Sequence, residues 1–123
     1  TELNMKQITR KTLALYANAS GDCNPIHIDI DFAKKAGLND VIAQGMLIMG
    51  YLGIALTNNI NQKNIIEYGV KFSSITNIGD LLRCNGQITK IELKEENKFF
   101  HLELKVIDQN NDIKLDGYSI IQI

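Results

Sequence analysis

Cysteine, histidine and proline are scarce in this chain of 123 residues, with two, two and one, and tryptophan is missing. Cys23 and Cys84 stand far apart without a C-x-x-C spacing, which argues against a zinc site and against a disulfide framework. Two such thiols in a chain without a signal peptide fit a reducing cytoplasm. Thr1 at the start points to upstream residues that have been processed or are missing. The formal net charge is only -1, so the basic excess that a nucleic-acid or membrane-surface partner calls for is absent. Any phosphate recognition must be local. The longest apolar run, Met46 to Leu56, falls short of the roughly 20 residues that span a bilayer, and reads instead as a buried helix. No internal repeat, low-complexity tract or linker divides the sequence. The expectation is one domain over residues 1–123, large enough for a single core.

The periodicity of the remaining residues outlines the elements. Residues 2–8 read as a short strand, after which Thr9 can cap a helix over Arg10 to Ala19 with Leu13, Ala14, Tyr16 and Ala17 on its apolar side. Asp31 reads as the N-cap of a short helix through Ala36, closed by Gly37. Gly45 to Leu56 is apolar all round and must be covered on nearly every side, with Gly50 and Gly53 admitting another backbone. Strict alternation then marks strands. Ile66, Tyr68, Val70 and Phe72 form one apolar face, and Phe100, Leu102, Leu104 and Val106 another. Two further strands fall at about 81–93 and 113–123, with turn signals at Gly79-Asp80, Glu96-Asn97 and Asn110-Asn111-Asp112. The pattern gives an α+β class: an antiparallel sheet with one apolar face and a buried helix.

Between the two helical patterns lies Y-A-N-A-S-G-D-C-N-P-I-H-I-D-I-D-F-A, Tyr16 to Ala33, where polar, turn-forming and ionisable groups concentrate. Gly21 frees the backbone, and Pro25 removes a donor and pushes Asn24 out of the α region. A turn of that kind can fold back so that Asp22 and His27 converge on one water molecule, as general acid/base chemistry requires. On spacing alone a second reading stands: Asp22 and Asn24 satisfying a tight turn as Asx residues, with His27 a core histidine. The other histidine, His101, sits on the polar phase of a strand and reads as solvated. Cys23 is a weak candidate nucleophile, because neighbouring side chains on an extended segment diverge.

This stretch resembles the signature of the (R)-specific enoyl-CoA hydratases and MaoC-like dehydratases. That signature runs aromatic, short spacer, small residue, G-D-x-N-P, aliphatic, His, with a small residue six positions on. Tyr16, Ser20, Gly21, Asp22, Asn24, Pro25, Ile26, His27 and Ala33 match it, and Ala19 departs conservatively. The likeness continues through A-G-L-N-D-V-I-A-Q-G-M-L, where Gln44 replaces a frequent His of the family. The resemblance implies the hot-dog fold, a curled antiparallel sheet wrapped around the central apolar helix, and a homodimer with a shared sheet. It implies reversible syn hydration of trans-2-enoyl thioesters of coenzyme A or acyl carrier protein to (R)-3-hydroxyacyl thioesters. Asp22 and His27 would be the catalytic pair, and Asn24, Gln44, Gly45 and Met46 the substrate-side residues. Gly45 would offer its N–H to the thioester oxygen at a helix N-terminus. No metal or redox cofactor is called for. Two rivals share the fold: an acyl thioesterase, weakened because residues 44–56 hold no Asp or Glu, and a non-catalytic acyl-binding subunit of a heterodimer, expected to lose Asp22 or His27.

Overall fold

The computed structural model describes residues 2–123, with side chains from Lys6 onward. Five strands form one antiparallel sheet in the order β1-β3-β4-β5-β2: β1 Glu2–Gln7, β2 Ile65–Phe72, β3 Leu81–Lys94, β4 Asn97–Ile107 and β5 Ile113–Gln122. Three helices precede β2 in sequence: α1 Arg10–Ser20, α2 Ile30–Lys35 and α3 Gly45–Asn59. The sheet curls around α3 as a half-barrel, the hot-dog arrangement. Its centre is β4, where Leu102, Leu104 and Val106 point inward and are buried as the alternation predicts. They meet Leu47, Ile48, Leu52, Ala55 and Leu56 of α3 in a single core cluster. Tyr68 of β2 donates its hydroxyl to the Met49 carbonyl at 2.7 Å. Burial, with Cys84 nearby, pushes that hydroxyl up to about 12, so it stays protonated as the donor.

Several expectations shift by a residue or a face. The N-cap of α2 is Asp29, not Asp31: the turn before it leaves Asp29 extended, and its carboxylate accepts the N–H groups of Asp31 and Phe32. Gly37 lies just beyond that helix at φ +91°, a conformation that favours glycine. Ala14 is exposed, leaving Leu13 and Ala17 as the buried stripe of α1. The central helix runs three residues past Leu56, and it is not covered all round. Met46 and Ile54 remain 57% and 53% exposed, because one sheet wraps only part of a cylinder. Gly50 has open space where a side chain would stand, and Gly53 meets the Tyr68 ring rather than a backbone.

In β2, Ile66 falls out of the inward phase. Ile65 pairs with Ile121 and Glu67 with Ile120, so Ile66 is the extra residue of a bulge and lies half exposed. The β3–β4 turn is centred on Glu95 and Glu96, both at positive φ, between the paired residues Lys94 and Asn97. That is one residue earlier than the turn signal suggested, and two residues at positive φ give the twist a tight hairpin needs. His101 is not simply solvated: its Nε2 lies 3.0 Å from Glu92. Hydrogen bonds from Lys90 and Lys94 hold the Glu92 carboxyl down to about 2.

Candidate active site

Helix α1 delivers the chain to the site and stops there. Gly21 takes φ +80° and its N–H returns to the Ala17 carbonyl at 3.0 Å, a left-handed ending open to glycine. Ser20 then accepts the Asp22 N–H, and the Asn24 side chain accepts the Ile26 N–H at 3.1 Å, capping a single 3-10 turn over Pro25–His27. Pro25 opens this turn, where its missing N–H costs nothing. Asn24 therefore shapes the backbone. Its Oδ1 is engaged by the turn that carries His27.

The Nδ1 atom of His27 lies 2.8 Å from the Ile42 carbonyl, and the Ile42 N–H in turn donates to the Ile26 carbonyl at 3.2 Å. A carbonyl only accepts, so Nδ1 must carry the hydrogen, and in the neutral ring the lone pair sits on Nε2. The segment holding Ile42 is fastened to α1 from outside by an Arg10–Asp40 ion pair, which lowers the Asp40 carboxyl. Nε2 of His27 faces Oδ2 of Asp22 across 3.7 Å. That gap is too long for a direct hydrogen bond and short enough for both atoms to bond one small polar group. The histidine side chain is 13% exposed and the carboxylate 47%. The imidazole is thus sheltered while the carboxylate stands at the rim.

His27 opens onto a cavity of about 390 Å³ whose walls include Ile42, Gly45, Ile48, Phe72 and Leu115. Gly45 is the first residue of α3, so its N–H has no place in the helical ladder, and the positive end of the helix dipole lies there. A Cβ at this position would come within 2.9 Å of the Phe72 ring. Gln44 and Met46 stand outside this cavity. Gln44 is buried and donates Nε2 to the Leu13 carbonyl at 3.0 Å, tying α3 to α1. Met46 lies on the open side of α3, since one step along a helix turns the side chain by about 100°. Of the cavity's lining, only His27 and Gly45 are among the expected site residues; Ile42, Ala43, Ile48, Phe72, the segment 73–76, Lys114 and Leu115 are not. Phe72 belongs to the apolar face that alternation predicts for this strand, yet it is 50% exposed, at the strand end that borders the site.

Cys23 points its thiol at the Ala17 carbonyl, 3.7 Å away, rather than toward His27. Cys84 is buried, which pushes its thiol up to about 11. A thiol reagent at pH 8 should therefore label one cysteine per native chain quickly, and the second only after denaturant is added. Two fast thiols would mean that the β3 packing around Cys84 opens readily. Among the described residues no group of three or more His, Cys, Asp or Glu is placed to hold a metal ion. No described helix is long and apolar enough to cross a membrane.

A family model described as "MaoC like domain" matches residues 2–110. The chain belongs to the MaoC-like family. It is 30% identical over 96 residues to the (R)-specific enoyl-CoA hydratase of Rhodospirillum rubrum, covering 76% of this chain and 65% of that protein. It is 29% identical over 118 residues to the mitochondrial 3-hydroxyacyl-[acyl-carrier-protein] dehydratase of Arabidopsis thaliana, covering 87% of this chain and 70% of that one. The unliganded R-hydratase PhaJ1 of Pseudomonas aeruginosa superposes with a TM-score of 0.85 at 24% identity, over 98% of this chain and 77% of that one. At that identity the superposition speaks for the fold. Within this MaoC-like chain the family signature, Tyr16 to Ala33, is the stretch that forms the end of α1, the 3-10 turn and α2.

Proposed function

We propose that this MaoC-like chain, acting as one domain, catalyses the reversible hydration of trans-2-enoyl thioesters to (R)-3-hydroxyacyl thioesters, with coenzyme A or acyl carrier protein as the thiol part of the substrate. The observation that carries this reading is the pair formed by Asp22 Oδ2 and His27 Nε2, 3.7 Å apart, with the far nitrogen of the ring tied to the Ile42 carbonyl. The names of the relatives, hydratases and dehydratases, support the same chemistry.

The steps follow from the tautomer. A water held by both side chains gives one proton to the Nε2 lone pair while its oxygen forms a bond to C3. The electron pair of the C2–C3 double bond moves toward the thioester, and the oxygen becomes enolate-like. The Gly45 N–H at the start of α3 is the donor for that oxygen, preorganised and backed by the helix dipole. The enolate collapses, and C2 takes the proton back from Nε2–H. Water has then been added across the double bond from one face, and His27 is neutral again. The Asp22 carboxylate orients the attacking water and stabilises the imidazolium that exists between the two proton transfers. Dehydration runs the same path backwards.

The direct test follows the loss of conjugated enoyl-thioester absorbance with crotonyl-CoA, its acyl-carrier-protein counterpart and a longer trans-2-enoyl-CoA. Hydration supports the reading; release of free thiol from the same substrates would replace it with the thioesterase. A homodimer belongs to this proposal, since Met46 and Ile54 leave one side of α3 open.

A further inference from the structure

Lys114 is a lysine where the fold would put an apolar residue. In the β4–β5 pairing, Val106 opposes Leu115 and Ile107 opposes Ile113, so Lys114 is the extra residue of a bulge. The bulge turns its side chain inward, where it is 7% exposed. Its Nζ donates to the Ile75 carbonyl at 2.7 Å and lies 3.4 Å from Asp108 and 3.7 Å from Asp80. Both carboxylates are buried and held by other donors: Asp108 by the N–H groups of Asn110 and Asp112, Asp80 by the Asn77 N–H and the Gln109 side chain. Burial opposes the charge on Asp108, yet those two N–H groups and the ammonium outweigh it and keep its carboxyl below the usual range. The ammonium thus makes one hydrogen bond, to the Ile75 carbonyl, and two buried ion pairs. Such a cluster resists displacement, because moving the lysine would leave two buried carboxylates without their cation.

Lys114 and His27 line the same cavity. The walls they share are mostly apolar, with Ile42, Ile48, Phe72 and Leu115 beside Ser73, Ser74 and Thr76, and suit an alkyl chain. The cavity, about 390 Å³ in all, lies near the small end of ligand pockets, which run from about 300 to 1,000 Å³. We propose that Lys114, clamped by Asp80 and Asp108, is the end wall of the acyl cavity and restricts this chain to short-chain enoyl thioesters, a proposal that rests on the hydratase reading. An alkyl chain that reaches this wall meets a fixed ionic cluster rather than a side chain that can yield. Selectivity arises by exclusion.

The test compares kcat/KM for crotonyl-CoA and trans-2-octenoyl-CoA in the wild type, in Lys114→Met, and in Lys114→Met combined with Asp80→Asn and Asp108→Asn. The triple variant removes the cluster without stranding its carboxylates. The wild type should favour crotonyl-CoA by about tenfold or more, the scale on which a hydrophobic pocket discriminates chain length. Either folded Met variant should raise the octenoyl-to-crotonyl ratio about tenfold, and Lys114→Arg, which keeps the charge, should retain the wild-type preference. A wild type that handles both substrates equally overturns the proposal by itself, even if no variant folds. So does an unchanged ratio in a folded Met variant. A wild type inert toward both substrates removes the hydratase reading and this proposal together.

Discussion

His27→Ala should lower the rate of crotonyl-CoA hydration by about 10²- to 10⁴-fold, the range for loss of a general acid/base group. The residue carries both proton transfers in the proposed path, and the other described histidine, His101, is engaged with Glu92 on the sheet. Asp22→Asn should also cost about 10²-fold, for a different reason. The amide keeps the shape of the carboxylate but removes the charge that steadies the imidazolium, and its NH2 group can turn a donor toward the water. Both variants should melt close to the wild-type temperature, because Asp22 is largely exposed and His27 contributes its ring to one carbonyl contact. Rates of either variant within a few-fold of wild type, in folded protein, would remove the pair from the mechanism.

Leu52→Ala should be the most damaging single truncation for stability, costing about 2–5 kcal/mol. Leu52 is fully buried in the middle of α3, and its Cδ2 reaches to within 3.6 Å of where a Cβ would stand on Gly117 of β5. That spot is bare because it has to be: a Cβ on Gly117 would lie 2.9 Å from the Gly69 carbonyl of β2. Leucine fills space the strand cannot fill for itself. Alanine would leave a cavity beside Gly117, which has no side chain to move into it. The cost should appear as a fall in the urea midpoint with an unchanged slope, and as a Tm lower by about 10 °C or more. A loss below about 1 kcal/mol would mean that the sheet closes over the gap, contrary to the packing described here.

How much of this could be read from the sequence depends on how local each contact is. The signature around Asp22 and His27 was legible because the residues that shape it are contiguous: Gly21, Asn24 and Pro25 build the turn that carries the histidine. The alternation of β4 was legible too, since a central strand with one buried face keeps strict phase. The tautomer of His27 was not, because it is set by the Ile42 carbonyl, which no spacing rule connects to it. The family resemblance groups Gln44 and Met46 with Gly45, yet the entry into α3 sends the three to different surroundings. Ile66 and Lys114 were misplaced or unseen for one shared reason. Each is the extra residue of a bulge, and a bulge is decided by the partner strand.

The central claim is that one pair, Asp22 and His27, adds both elements of water from a single side of the substrate. It is tested most directly by hydrating crotonyl-CoA in D2O with the wild-type protein and assigning the new centres at C2 and C3 by NMR. The account predicts one C3 configuration, R, with the deuterium on C2 delivered to the same face as the oxygen. A product with oxygen and deuterium on opposite faces, or a mixture at C2, would contradict proton return from the His27 Nε2.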